Sequence, residues 1–293
     1  MAGFRLKMAT RLGEKIAEEL GFDSFAIDPK IIAQKRDISV EAKPPEVSGV
    51  SGAIIFAGDS VMIIYSTELA NKGFENFSIA HELGHWFLPG HPDEIVRSGG
   101  MHLSRASFTQ NSSIELEADH FASGLLMPSR LTRQFLGGNQ IGLEGIVQFA
   151  DIAKTSITAA AIRAAECCPY PVAVVVSREQ KIAYTFLSET FKELGRLTFL
   201  RKGDPLPMSA TSRFNTVPEN VRRGRRITEQ TDLSVWFDGP CGVQLDEEVL
   251  VLGGYGYTLT VLSSEELPED PAEDDDEESA LEESWTPRFA YRR

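Results

Sequence analysis

The chain has 293 residues, 42% of them hydrophobic, which is enough apolar material for one large domain or two modest ones. Its formal net charge is −14, but 12 acidic residues and no Lys or Arg fall between residues 265 and 283, leaving a body near −2 without the basic surface of a dedicated nucleic-acid binder. Three cysteines make no even disulfide framework, Glu14, Lys15, Glu18 and Glu19 stand where a signal peptide needs an apolar core, and no run of about 18 apolar residues permits a membrane span, so a cytoplasmic protein is expected.

Ala9, Leu12, Ile16, Ala17 and Leu20 recur at helical spacing between charges and predict an amphipathic helix over 8–20, with Gly21 as its stop. Short β-rich runs follow at 38–40, 52–56 and 61–65, the last two joined by Gly58-Asp59, a hairpin turn signal. From 76 to 88 the period becomes helical, and Pro89-Gly90 ends it. A second long helix is expected over 113–127, where Ile114, Ala118, Phe121, Ala122 and Leu125 recur at three- and four-residue intervals before Pro128. Shorter helices are expected over 131–136, 143–151 and 156–166. Beyond Pro169 and Pro171 the runs 172–176, 182–186, 197–200, 233–237, 249–252 and 257–262 predict strands of a β-rich domain. From 263 onward Pro and acidic residues dominate, and a disordered tail is expected.

The chemistry is concentrated in His81-Glu82-Leu83-Gly84-His85. Residues four apart on a helix share a face, so His81 and His85 can hold one Zn2+ ion, and Glu82 can act as the base toward a water molecule there. A third ligand is required. Glu115 on the second helix is the first candidate, because Asp119 one turn later can accept a hydrogen bond from a ligand histidine. His91, six residues after His85, is the rival, with metzincin-like spacing but Leu88 where that pattern has glycine. Glu117, Asp119 and His120 are further options, and His102 reads as an ordinary polar residue. Gly84 would let a neighbouring element approach closely. Tyr65 and His120 are candidates for a second electrophile, and the run 51–56 is a candidate sheet edge for pairing with an extended substrate.

The strings Phe-Ser-Ile-Ala-His-Glu-Leu-Gly-His (77–85) and Ile-Glu-Leu-Glu-Ala-Asp-His-Phe-Ala-Ser-Gly-Leu-Leu-Met-Pro (114–128) resemble the ImmA/IrrE family of zinc metallopeptidases, over about residues 10–165. The resemblance assigns the metal to His81, His85 and Glu115 and the base to Glu82. It implies an α+β fold: a minimal thermolysin-like (gluzincin) peptidase domain with a small antiparallel sheet over 1–130, then a helix-turn-helix-like unit over 131–168. A β-rich domain with a sensory or partner-binding role over 169–262 and the acidic tail over 263–293 complete the chain. Substrates of the family are cytoplasmic regulatory proteins, often helix-turn-helix repressors of stress or mobile-element genes, and some members carry a GAF-like sensory domain where the β-rich segment lies.

Residues 141–166 offer only Lys154 and Arg163 against Glu144, Asp151 and Glu166, so direct nucleic-acid binding is disfavoured and the helices there are expected to pack. The cluster Arg222, Arg223, Arg225 and Arg226 reads as a solvated loop. The alternative to an enzyme is a non-catalytic zinc-bound regulator that acts through a partner or effector; Glu82 separates the two, because a purely structural site has four protein ligands and needs no base.

Overall fold

A computed structural model describes residues 2–43, 49–68, 71–104, 113–138, 142–253 and 256–264. The expected acidic tail therefore lies outside the described residues, apart from Ser263, which ends the last strand, and Ser264. Contacts divide the described residues into two units: one is the chain up to Pro128 with Ala153–Thr155, the other comprises Ser129–Ile152 and residues 156–264. The fold is mixed α+β. None of the described helices is long and apolar enough to cross a membrane.

The first unit runs α1 (Ala2–Glu19), α2 (Pro29–Gln34), β1 (Ile38–Ala42), β2 (Gly52–Ala57), β3 (Ser60–Tyr65), α3 (Lys72–Phe87), α4 (His91–Arg97), β4 (Met101–Ser104) and α5 (Ser113–Leu126). α5 lies against both α1 and α3, and α3 also covers β2 and β3. Ile54, Ile63, Ile79, Leu83, Phe121 and Leu125, all without solvent exposure, form its centre. Burying six such side chains contributes on the order of 10 kcal/mol before chain entropy is counted.

The sheet order is β1-β3-β2-β4, and two expectations are corrected by it. The sheet is not purely antiparallel, because β1 pairs with β3 in parallel. The chain reverses between β1 and β2 and again through the tight β2–β3 hairpin, where Ala57 faces Ser60, and two reversals restore the original direction. The run 51–56 is also not an edge. β2 is hydrogen-bonded to β3 on one side and to β4 on the other, with Gly52 opposite Ser104 and Ile54 opposite His102, so the edges are β1 and β4. β4 is four residues long, with its apolar Met101 and Leu103 exposed and Ser104 its one buried residue, so it is too short for alternation to register.

The second unit contains α6 (Ser129–Leu136), α7 (Leu143–Ala153), α8 (Ile157–Cys167), β5 (Val172–Arg178), β6 (Lys181–Leu187), α9 (Glu189–Lys192), α10 (Ala210–Asn215), α11 (Pro218–Arg222), β7 (Arg226–Asp232), α12 (Leu233–Phe237), β8 (Gln244–Leu252) and β9 (Tyr257–Ser263). Its five strands form an antiparallel sheet in the order β6-β5-β9-β8-β7. Ala173, Val175, Leu245 and Leu262 pack with Phe191, Leu233, Trp236 and Phe237 on one side.

The run 197–200 is not a strand; Leu197 and Leu200 instead lean on that core from a loop, tied by Thr198 N–H to Phe237 O at 2.7 Å. The run 233–237 is a helix. Asp232 accepts from Ser234 N at 3.0 Å as its cap, and a short apolar run carries no period that could separate helix from strand. β7 was not expected because its side chains are mostly polar and exposed, as suits an edge strand kept from pairing with other chains. The arginine cluster is locally partnered: Arg222 and Arg223 pair with Glu219 on α11, and Arg225 donates to Asn220. All three cysteines are free.

Candidate metal centre

α3 starts at Asn71, whose side chain accepts from Phe74 N at 3.0 Å, and ends at Leu88, ahead of a proline that cannot continue it. One turn apart on this helix, the His81 and His85 rings share a face with centroids 4.9 Å apart. α5 crosses at Gly84, where a Cβ would stand 3.1 Å from Ala118 Cα, closer than nearly all such contacts. That crossing brings Glu115, in the first turn of α5, to both rings.

The Nε2 atoms of His81 and His85 are 3.2 Å apart; Glu115 Oε2 lies 3.4 Å from His81 Nε2, and its Oε1 lies 3.3 Å from His85 Nε2. Ligands about 2.0–2.1 Å from a tetrahedral ion stand roughly 3.3–3.4 Å from one another. The three donors are thus spaced as ligands of one ion. Among the described residues they are the one group of three His, Cys, Asp or Glu whose donor atoms come within 4.8 Å of one another.

Both imidazoles are held from behind. His81 Nδ1 is 2.8 Å from Asp119 Oδ1, the residue one turn beyond Glu115. His85 Nδ1 is 3.2 Å from His91 Nδ1, and His91 Nε2 is 3.3 Å from Glu117 Oε2. His91 therefore stands behind His85, on the ring nitrogen opposite the one that faces Glu115, with both of its own nitrogens engaged. Gly90, at φ 89, turns the chain back after Pro89 and sets His91 there at the start of α4.

Electrostatics divide the cluster's protons unequally. Burial works to lower His81, yet its hydrogen bonds to Asp119 and Glu115 raise it to about 10. Burial depresses His85 to about 3, so it is the neutral ring. Burial works to raise Glu115, yet the imidazoles of His102, His81 and His85 around it hold it far below the usual carboxylate range. A cation entering here meets one neutral imidazole and one ionised carboxylate, and must displace the proton of the second imidazole.

Glu82 is without solvent exposure, and neither carboxylate oxygen has a hydrogen-bond partner among the described residues. Burial pushes its pKa up to about 7. The Ser104 hydroxyl, likewise buried and unpaired, lies close enough to draw that value down somewhat. Gly52 makes the room: a Cβ on it would stand 2.6 Å from Glu82 Oε1. An orphaned buried acid beside a three-donor cluster fits a group that works on a bound water.

One imidazole at the centre was not expected there. His102 on β4 places Nε2 2.6 Å from Glu115 Oε1 and its ring 4.4 Å from that of His85. Only the pairing of β4 with β2 carries it there, and no local spacing signals that pairing. His120, by contrast, faces α1, with Nδ1 3.2 Å from Thr10 Oγ1, and the Tyr65 hydroxyl accepts from Lys30 Nζ at 2.7 Å. Neither joins the cluster.

Eleven chains of solved structures resemble this one. One of them, a Mycobacterium tuberculosis transcriptional regulator, has a TM-score of 0.53 at 13% sequence identity, over 87% of this chain and 76% of that one. At that identity the likeness is one of fold. No curated protein matches the sequence. Residues 33–164 match the IrrE N-terminal-like domain of the M78 peptidases, a span that takes in α3, α5 and every residue of the cluster. Residues 33–164 thus carry a domain of the ImmA/IrrE family, a family of peptidase type.

Proposed function

We propose that the chain is a zinc-dependent endopeptidase acting in the cytoplasm on a regulatory protein, a helix-turn-helix repressor in a stress or mobile-element response. The observation that carries the reading is the carboxylate of Glu82, without a hydrogen-bond partner, beside a site that has three donors rather than four among the described residues. A purely structural ion is closed in by four protein ligands and needs no base.

His81, His85 and Glu115 would hold the ion, with Asp119 orienting His81. When bound, zinc supplies Lewis acidity, which acidifies a water molecule and polarises a peptide carbonyl. Glu82 takes the proton of the attacking water on a carboxylate oxygen and delivers it to the leaving amine nitrogen. Its burial keeps competing solvent away and makes the protonated acid a stable resting place between the two transfers. His102 stays beside Glu115 and is better placed than His120 or Tyr65 to meet developing charge. An extended substrate would pair with the edge strand β4, so cleavage is confined to segments that can leave their own fold.

In this reading residues 1–130 are the peptidase domain, 131–168 a helical unit, 169–262 a sensory or partner-binding domain and 263–293 an acidic tail. The helical unit packs rather than reads DNA: Arg163, one of its two central basic residues, is 3% exposed and donates to Glu166 and Ser129.

The test is co-expression with repressors encoded beside this chain, mass spectrometry of the fragments, and metal analysis of wild type and Glu82→Gln. Specific fragments with wild type and none with the variant, at equal zinc content, are expected. Unchanged cleavage by Glu82→Gln would overturn the mechanism, and zinc without any cleavage would favour a non-catalytic regulator.

A further inference from the structure

The second imidazole of the cluster is supported by three side chains that the proposed chemistry does not itself use. His85, His91 and Glu117 are 0%, 1% and 5% exposed, and they are linked in sequence: His85 Nδ1 to His91 Nδ1 at 3.2 Å, then His91 Nε2 to Glu117 Oε2 at 3.3 Å. Glu117 Oε1 continues the chain to Arg5 Nε on α1 at 3.1 Å, where the arginine is 57% exposed.

A neutral imidazole has one N–H and one lone pair, so proton positions along such a chain are not independent. If His85 presents the lone pair of Nε2 to a metal ion, its proton sits on Nδ1 and donates to His91 Nδ1. That atom must then be an acceptor. The proton of His91 is consequently on Nε2, where it donates to Glu117, whose charge is shared with Arg5. Only one tautomer of each ring satisfies every link. The opposite arrangement, with Nδ1 of His85 unprotonated, would turn an N–H of His85 toward the ion.

We infer that His91 and Glu117 are positioning residues that hold His85 in the metal-binding tautomer, and that Arg5 ties this relay to α1. The inference rests on the reading that His85 is a metal ligand, and it goes beyond that reading by giving a role to the histidine that lies six residues later. The two ligand histidines are then supported differently: His81 by one carboxylate directly, His85 by a carboxylate acting through a second ring. A buried carboxylate that reached His85 directly would carry its charge next to Glu115. Interposing His91 sets that charge one ring further from the ion while keeping its orienting effect.

The experiment uses the full chain stripped of metal, with Zn2+ titrated against a chromophoric chelator and Co2+ absorption reporting ligand geometry. His91→Leu removes the acceptor, His91→Asn keeps an amide oxygen near the Nδ1 position, and Glu117→Gln keeps an acceptor but removes the charge. Zinc affinity is expected to fall about 10- to 100-fold in His91→Leu, the range found for such supporting groups. It should stay within about threefold of wild type in His91→Asn and fall severalfold in Glu117→Gln. The Co2+ spectrum should change in His91→Leu and be restored in His91→Asn.

Circular dichroism of the metal-free proteins checks the fold. If His91→Leu does not fold, near-wild-type binding by His91→Asn together with weakened binding by Glu117→Gln still supports the relay. Wild-type affinity in a folded His91→Leu, or His91→Asn as weak as a folded His91→Leu, overturns the relay while leaving the metal site standing. A wild-type protein that takes up neither ion removes the metal site and the relay together.

Discussion

Glu82 in the first unit and Glu247 in the second are both completely shut away from solvent, and their surroundings are opposite. Glu247 accepts from Thr211 N–H at 2.6 Å, Thr211 Oγ1 at 2.7 Å and Trp236 Nε1 at 3.2 Å. Glu82 accepts from no described residue. Fixed donors on α10 and α12 thus offset the cost of the buried carboxylate on β8, whereas the site on α3 leaves that cost in place for an incoming water or cation to relieve. A satisfied buried acid is part of the architecture. An unsatisfied one is available for chemistry.

The largest effect expected from breaking this contrast is in Glu82→Gln. Removing a general base should lower cleavage by at least about 100-fold, read as turnover at constant zinc content, with no loss of thermal stability. The matching change, Glu247→Ala, should do the reverse. It strands buried donors and should destabilise the second unit by about 3 kcal/mol in denaturant unfolding, leaving zinc affinity as it was.

Chelation sharpens the contrast by region. An ion at 100 times its Kd stabilises what it binds by about 2.7 kcal/mol, so its removal should raise hydrogen exchange in α3 and α5 and leave β5 and β9 unchanged. Gly52→Ala tests the space that Glu82 occupies. The new Cβ should displace the carboxylate and lower turnover about tenfold, roughly 1.4 kcal/mol, without changing metal affinity. Asp119→Asn should have the smallest effect, about threefold in zinc affinity, since the Asp119 side chain is 48% exposed and the amide keeps an acceptor for His81.

The two units also differ in how far they can be read in advance. α1, α3, α5 and the short helices α6 to α8 carry apolar residues at three- and four-residue intervals, and their existence follows from that period even where their ends shift by a few residues. The second unit offers short apolar runs instead. Such runs mark burial without marking conformation, which is why 233–237 was expected as a strand and is a helix, and why the polar strand β7 gave no signal. Within the site, the pairing of His81 with His85 is a local property of one helix. The choice between Glu115 and His91 is not, because both lie within reach of a plausible turn.

By itself the sequence determined the amphipathic helices, the shared face of two histidines with a carboxylate beside them, and the placement of Asp119 one turn after Glu115. These depend on spacing within a single element, which helical geometry converts directly into position. Tertiary structure alone decided that Glu115 meets both rings, that His91 retreats behind one of them, and that His102 and Gly52 arrive on paired strands. Those outcomes depend on which backbones can approach closely and which strands find each other, and such contacts are set by packing between elements far apart in the chain.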